Sequence, residues 1–251
     1  MKVRDVYNAI NSFAPFLSQE KWDNSGILVG GEECGATRVL VTLDISPAAV
    51  EQAELMQCDV IVSHHPVIFS PLKSISFLNP VYDLCRLEIS AICCHTPLDI
   101  ADGGLNDLLA ERLNSVLDFG DIGPLMIGEP GRVLMLREPL SCAEIAAAAK
   151  NALGCTSVRY AGEDMVRRLG ICTGSGASML EDISGVCDCL LTGDVKHDRW
   201  YKAQELGIGL IDCGHYHTEV LMVPFMANLL RRALPNLEVL EFVEGDPVSY
   251  V

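Results

Sequence analysis

Four short apolar runs in this 251-residue chain each end in a histidine island, three of them with a carboxylate, which fixes both the kind of fold and the place of its chemistry. Val60-Ile61-Val62 leads into His64-His65, and Ile89 to Cys94 leads into His95 and Asp99. Cys189 to Thr192 leads into Asp194 and His197, and Ile208 to Asp212 leads into His215, His217 and Glu219. Such runs are too short for core helices, and continuous apolar character without alternation marks strands buried on both faces of a parallel sheet. Helical patterns lie between them. Ser46-Pro47 combines an N-cap with proline at the first helical position and predicts a helix to about Gln57. Strand and helix in alternation give βαβ units, and open α/β sheets collect ligands beyond the carboxyl ends of their strands.

The pattern extends over the whole chain. Val39 to Leu43 is a further strand, and a helix is expected from about Gly104 to Leu113. The Gly/Pro/Asp-rich stretch from Asp118 to Gly131 then reads as a seam. Past it come a strand from Arg132 to Leu136, an alanine-rich helix from Cys142 to Leu153, and strands over Thr156 to Tyr160 and Arg168 to Thr173. Gly174-Ser175-Gly176 turns into a further helix. The expected fold is therefore two α/β lobes with mostly parallel or mixed sheets, residues 1–125 and 126–251.

Composition excludes several classes. With 49% hydrophobic and 21% charged residues the chain buries a large core, so disorder is ruled out. Acidic residues outnumber basic ones 34 to 18, a formal charge of −16, which argues against a nucleic-acid groove because phosphate contacts need Lys and Arg. No apolar run approaches the ~20 residues that span a bilayer, and the N-terminus lacks the apolar core of a signal peptide. The eleven cysteines are scattered, odd in number and without a CxxC pair, so they read as apolar filler in a reducing, cytoplasmic setting rather than as a disulfide scaffold or a zinc knuckle.

All six histidines lie in the four islands, beside carboxylates or hydroxyls. Imidazole and carboxylate together suit a borderline divalent cation. His64 and His65 are consecutive, and residues leaving a strand alternate in direction, which suggests one imidazole for each of two ions. His215 and Glu219 are four apart and share a face if Gly214 opens a helix, where Glu219 can bridge both ions. Asp99 supplies a further oxygen. Five ligands, His64, His65, Asp99, His215 and Glu219, thus serve two divalent ions, with zinc, iron, manganese, cobalt and nickel all compatible. His95, Asp102, Asp194, His197 and His217 form the expected surrounding ring, with His95 and His197 the candidate proton carriers. Cys213 reads as a buried strand residue rather than a ligand. Asp23-Asn24 reads first as a turn, with a substrate contact as the second reading.

Taken in order, Trp22 to Gly30, Ser63-His-His-Pro66, His95-Thr-Pro-Leu-Asp99, Thr192 to Asp198 and Gly214-His-Tyr-His-Thr-Glu219 resemble the NIF-three-like family, whose bacterial members are labelled GTP cyclohydrolase I type 2 homologues. The resemblance runs from about residue 4 to 245. At the seam the chain resembles the short form, without an inserted domain. It implies a dinuclear metal site between the two α/β lobes, at the positions of the five ligands above, and a toroidal homohexamer built as a trimer of dimers. It also implies a hydrolase acting on a nucleotide or related phosphorylated small molecule. Pro97 stands where many relatives carry Asn. The competing expectation is a non-catalytic, metal-binding scaffold or regulator that forms a ring assembly.

Overall fold

The computed structural model describes residues 1–127 and 129–249. In chain order the elements are α1 (Val3–Phe13), β1 (Gly26–Val29), β2 (Arg38–Thr42), α2 (Pro47–Leu55), β3 (Val60–Ser63), α3 (Pro80–Arg86), β4 (Ser90–Cys93) and α4 (Thr96–Ile100). They continue with α5 (Leu105–Asn114), β5 (Phe119–Pro124), β6 (Arg132–Ser141), α6 (Cys142–Leu153), β7 (Arg159–Ala161), β8 (Met165–Ile171) and β9 (Cys189–Thr192). The last are α7 (His197–Leu206), β10 (Gly209–Asp212), α8 (His215–Glu219), α9 (Met222–Ala233) and β11 (Glu238–Glu241). Among the described residues no helix is long and apolar enough to cross a membrane.

The chain forms two compact units. One holds Met1–Ala101 and Met222–Glu244, and the other holds Asp102–Leu221 with a short return that begins at Gly245. This differs from the division into 1–125 and 126–251. The Asp118 to Gly131 stretch is no seam: β5 lies inside it and pairs antiparallel with β6, Phe119 opposite Leu136 and Pro124 opposite Arg132. Its glycines and prolines serve a bulged hairpin, a local use of the same residue types that punctuate linkers. The final helix and strand return to the first unit because β11 pairs parallel with β2, Val239 opposite Val39 and Leu240 opposite Leu40.

The first unit is a five-stranded sheet of order β1-β4-β3-β2-β11, parallel except for β1, which runs antiparallel to β4 at one edge. Every residue of β3 and β4 is buried, as continuous apolar strands require. Leu40, Ile61, Leu84 and Ala91 pack in one cluster with Val50 and Ala53 of α2. Ser46 caps α2 by accepting the Ala49 N–H, and Asn79 caps α3 by accepting the Val81 N–H, each ahead of a proline. Register then positions the chemistry. Thr42 pairs with Ser63 and Ser63 with Cys93, so three neighbouring strands finish level and release Asp44, His64-His65 and His95 at one end of the sheet.

The second unit is a six-stranded mixed sheet of order β5-β6-β8-β9-β10-β7, in which β8, β9 and β10 are parallel and the remaining pairings antiparallel. Leu134, Leu169, Leu191 and Ile211 pack with Ile145 and Ala149 of α6 on one face, and Leu180, Ile183, Leu190 and Leu210 form a second cluster. A capping box between Ser141 and Glu144 starts α6 and left-handed Gly154 ends it. The helix expected after Gly176 is only a 3-10 turn, Ala177–Met179, because Leu180 and Ile183 turn into the core directly behind it. Thr192 pairs with Asp212, so β9 and β10 also finish level, followed by Asp194 and by His215 at the start of α8.

Candidate metal centre

In the first unit His64, His65 and His95 stand around one point. Their ring centroids are 5.0 Å apart for His64 and His65, 5.1 Å for His64 and His95, and 5.7 Å for His65 and His95. One nitrogen from each lies within 4.8 Å of the others. The strand ends at Ser63, and both backbone N–H groups donate to the Leu43 carbonyl, so the two rings stand side by side rather than on opposite faces of the sheet. Asp99, in the first turn of α4 and 7% exposed, brings Oδ1 to 3.7 Å from Nε2 of fully buried His64.

Each imidazole is held from behind. His64 Nδ1 meets the Cys94 carbonyl at 3.0 Å, His65 Nδ1 meets Asp44 Oδ1 at 2.8 Å, and His95 Nδ1 meets Asp23 Oδ1 at 2.8 Å. A carbonyl or carboxylate at Nδ1 places the proton there, so Nε2 carries the lone pair in the neutral ring. That tautomer is the one a metal-ligating histidine adopts when a second group orients it. Asp23 also accepts from the Ser25 and Thr96 hydroxyls and the Thr96 N–H. Burial alone would raise its pKa, but the hydrogen bonds from His95, Thr96 and Ser25 outweigh it and hold the carboxyl well below the usual carboxylate range. The rings of Trp22 and Phe69 lie 5.8 and 6.4 Å from that of His95.

In the second unit α8 presents His215 and Glu219 one turn apart, with Nε2 and Oε2 separated by 3.0 Å. His215 Nδ1 meets Asp194 Oδ2 at 2.8 Å, the arrangement of the first unit repeated. Asp194 reaches that position in the left-handed region, φ 52°, where aspartate is among the few side chains tolerated. With the proton on Nδ1, a lone pair and a carboxylate oxygen face each other at 3.0 Å, an arrangement that a cation between them reconciles. Gly174 makes room: a Cβ there would lie 2.2 Å from Glu219 Oε1 and 3.2 Å from His215 Nε2. The donor chemistry of both units thus fits divalent ions of the mixed nitrogen and oxygen kind.

Other expected members lie elsewhere. His197, the first residue of α7, is exposed, packs edge-on to Tyr201 at 5.2 Å and lines a separate cavity beside Trp200. His217 is buried against Tyr216, with Nδ1 3.7 Å from Asp246. Asp102 sits in an exposed turn. Cys213 is a buried residue whose carbonyl accepts from the Cys155 thiol. Two orienting carboxylates lie outside the expected set: Asp23, in a segment that reads first as a turn, and Asp44. Asp44 had a signal, since it follows β2 by two residues at the same end of the sheet that releases the histidine islands.

Comparison with known proteins agrees with this architecture. Residues 1–247 match the family model for Duf34/NIF3 (NGG1p interacting factor 3). A Clostridium perfringens protein named GTP cyclohydrolase 1 type 2 homolog is 30% identical over the full length of both chains. A Helicobacter pylori protein named GTP cyclohydrolase 1 type 2 is 31% identical over 91% of each. Among solved structures, one of a Staphylococcus aureus protein superposes with a TM-score of 0.89 at 25% identity, covering 100% of this chain and 99% of the other. The chain belongs to the Duf34/NIF3 family.

Proposed function

We propose that the chain is a metal-dependent hydrolase acting on a nucleotide or related phosphorylated compound, with two divalent ions per chain. His64, His65 and Asp99 in the first unit and His215 and Glu219 in the second are the proposed ligands. The observation that carries the reading is the shared orientation of four imidazoles. His64, His65, His95 and His215 all give Nδ1 to an outer acceptor, which leaves Nε2 as the ligating atom in His64, His65 and His215 and as the proton-carrying atom in His95. The names of the Clostridium and Helicobacter relatives support a purine nucleotide, GTP, as the first substrate to try.

Bound divalent ions would supply Lewis acidity that activates water and offsets developing negative charge. The chain's own residues do the rest. Asp44 and Asp194 fix the tautomer and direction of His65 and His215. His95 is the proposed proton carrier: its ring is anchored by Asp23, and Trp22 and Phe69 flank it, so proton transfer takes place beside apolar walls. His197 has no part in this role, because it lines the cavity beside Trp200, which none of the proposed ligands lines. A ring-shaped homohexamer built as a trimer of dimers and a cytoplasmic location belong to the same proposal, the latter in keeping with eleven free cysteines.

The test is GTP turnover, followed by product analysis, for the metal-loaded protein and for Asp99→Ala and His95→Gln. Turnover lost in Asp99→Ala together with metal, and lowered about 100-fold in His95→Gln with metal retained, is expected. The family description names an interacting factor, which favours the second reading, a metal-binding scaffold. Full metal loading with no turnover of any nucleotide, and an assembly that falls apart in Asp99→Ala, would replace the hydrolase with that scaffold.

A further inference from the structure

The second unit holds a cavity of about 500 Å³ whose lining includes the side chains of Trp200, Tyr201 and His197. Its outer parts are exposed and carry Glu163 and Asp164, while its inner end reaches Cys142, a residue only 1% exposed. Cys142 is the first residue of α6, where the backbone N–H groups of the helix start favour negative charge. Its sulfur lies 3.8 Å from that of Cys189, the first residue of β9, and the two share a hydrogen bond. Glycines surround the pair. A Cβ at Gly209 would lie 2.5 Å from the Cys142 sulfur and 3.1 Å from that of Cys189, and one at Gly162 would lie 3.0 Å from Cys142. The space that side chains would fill is given to two thiols, of which Cys142 lines the cavity and Cys189 lies behind it.

The pair is asymmetric. The hydrogen bond with Cys189 pulls the Cys142 thiol below its ordinary pKa despite burial, whereas the same bond together with burial pushes Cys189 well above it. One sulfur is suited to attack and the other to hold its proton in reserve. Cys155 and Cys213 show the same asymmetry, but neither lines this cavity.

We propose that Cys142 and Cys189 are a redox-active dithiol served by this cavity, and that its oxidants are small disulfides of neutral or positive charge. In the first step the Cys142 thiolate attacks one sulfur of R–S–S–R. A Cys142–S–S–R bond forms, the original S–S bond breaks, and RS⁻ leaves and takes up a proton. Cys189 then gives up its proton and attacks the Cys142 sulfur, releasing a second RSH and leaving a Cys142–Cys189 disulfide. Two electrons and two protons pass from the protein to the small disulfide. The sulfurs must close from 3.8 Å to the ~2.05 Å of a disulfide, a movement of side-chain scale. Glu163 and Asp164, in a chain of formal charge −16, select for cationic oxidants over anionic ones.

The experiment treats the reduced full-length protein with cystamine, and in parallel with glutathione disulfide, followed by intact mass and peptide mapping. Cystamine should yield a Cys142–Cys189 cross-link with loss of two hydrogens. Exposed Cys34 and Cys85 carry simple adducts and serve as internal references. In Cys189→Ser the reaction should stop at one cysteamine on Cys142, and in Cys142→Ser neither product should form at this site. The cross-link should form about tenfold faster with cystamine than with glutathione disulfide at low salt, the gap narrowing as salt is added. A wild-type map with adducts on Cys34 and Cys85 but no cross-link overturns the proposal, whether or not either variant folds. Faster cross-linking by glutathione disulfide at low salt would overturn the oxidant class.

Discussion

The two donor groups solve one problem with different amounts of scaffold. In the first unit three parallel strands in fixed register deliver Asp44, His64-His65 and His95, and one of the anchors, the Cys94 carbonyl, is backbone. In the second, a five-residue helix carries both donors, His215 relies on Asp194, and Glu219 relies on the absence of a side chain at Gly174. A group built on strand ends is as stable as its sheet, whereas a group on a short helix depends on a few local contacts. Single substitutions should therefore disable the second group more readily than the first.

The largest effect is expected from Gly174→Ala. Its φ of +65° is strained for alanine, and the new Cβ would collide with Glu219 Oε1. A loss of more than about 1 kcal/mol by urea denaturation is expected, with metal content sharply reduced. Near-normal metal content would break the claim that this glycine gates the second group. Next come the orienting carboxylates. Asp194→Ala and Asp44→Ala should each weaken metal binding by about 10–100-fold in chelator competition, through loss of ring orientation. If the strand-end frame matters as argued, Asp44→Ala falls nearer the lower end; the reverse order would contradict the comparison.

Asp23→Asn removes the charged partner of His95 without touching a proposed ligand. Metal content should hold, while any turnover falls, because the His95 ring loses the charged group that orients it. Unchanged kinetics would remove His95 as the proton carrier.

The smallest effect concerns a device the two units share. Asp59, just before β3, accepts the N–H groups of Thr37 and Arg38, and Asp188, just before β9, accepts those of Arg167 and Arg168. Burial would raise both pKa values, but hydrogen bonds and the neighbouring arginine leave both below the usual carboxylate range. A depressed folded pKa adds stability that is present above the unfolded value of about 3.9 and fades as pH falls through the folded one. Asp59→Asn and Asp188→Asn should therefore cost stability at pH 7, and the difference from wild type should shrink below about pH 4. A difference that grows on acidification would reverse the sign and discard the assignment.

Much of this was legible in the chain. The continuous apolar runs located β3, β4 and β9 to within a residue or two, and Ser46-Pro47 marked the start of α2. What escaped depends on pairings distant in sequence. Nothing local in Glu238–Glu241 says that it lies beside β2, and Asp118 to Gly131 uses the same residues for a hairpin that a linker would use. Site residues followed the same rule. Histidine islands stood out by composition, while Asp23 reaches His95 across 72 positions and could be seen only once the chain folds. His197 shows the converse: proximity in sequence to Asp194 did not bring it to the His215 group.

The most direct test of the metal centre is elemental analysis of protein purified without added metal or chelator, run on wild type and Glu219→Ala with circular dichroism to establish folding. About two divalent ions per chain in the wild type, falling to one or fewer in a folded Glu219→Ala, is expected. Substoichiometric metal that is the same in both proteins would contradict it and remove Glu219 from the ligands.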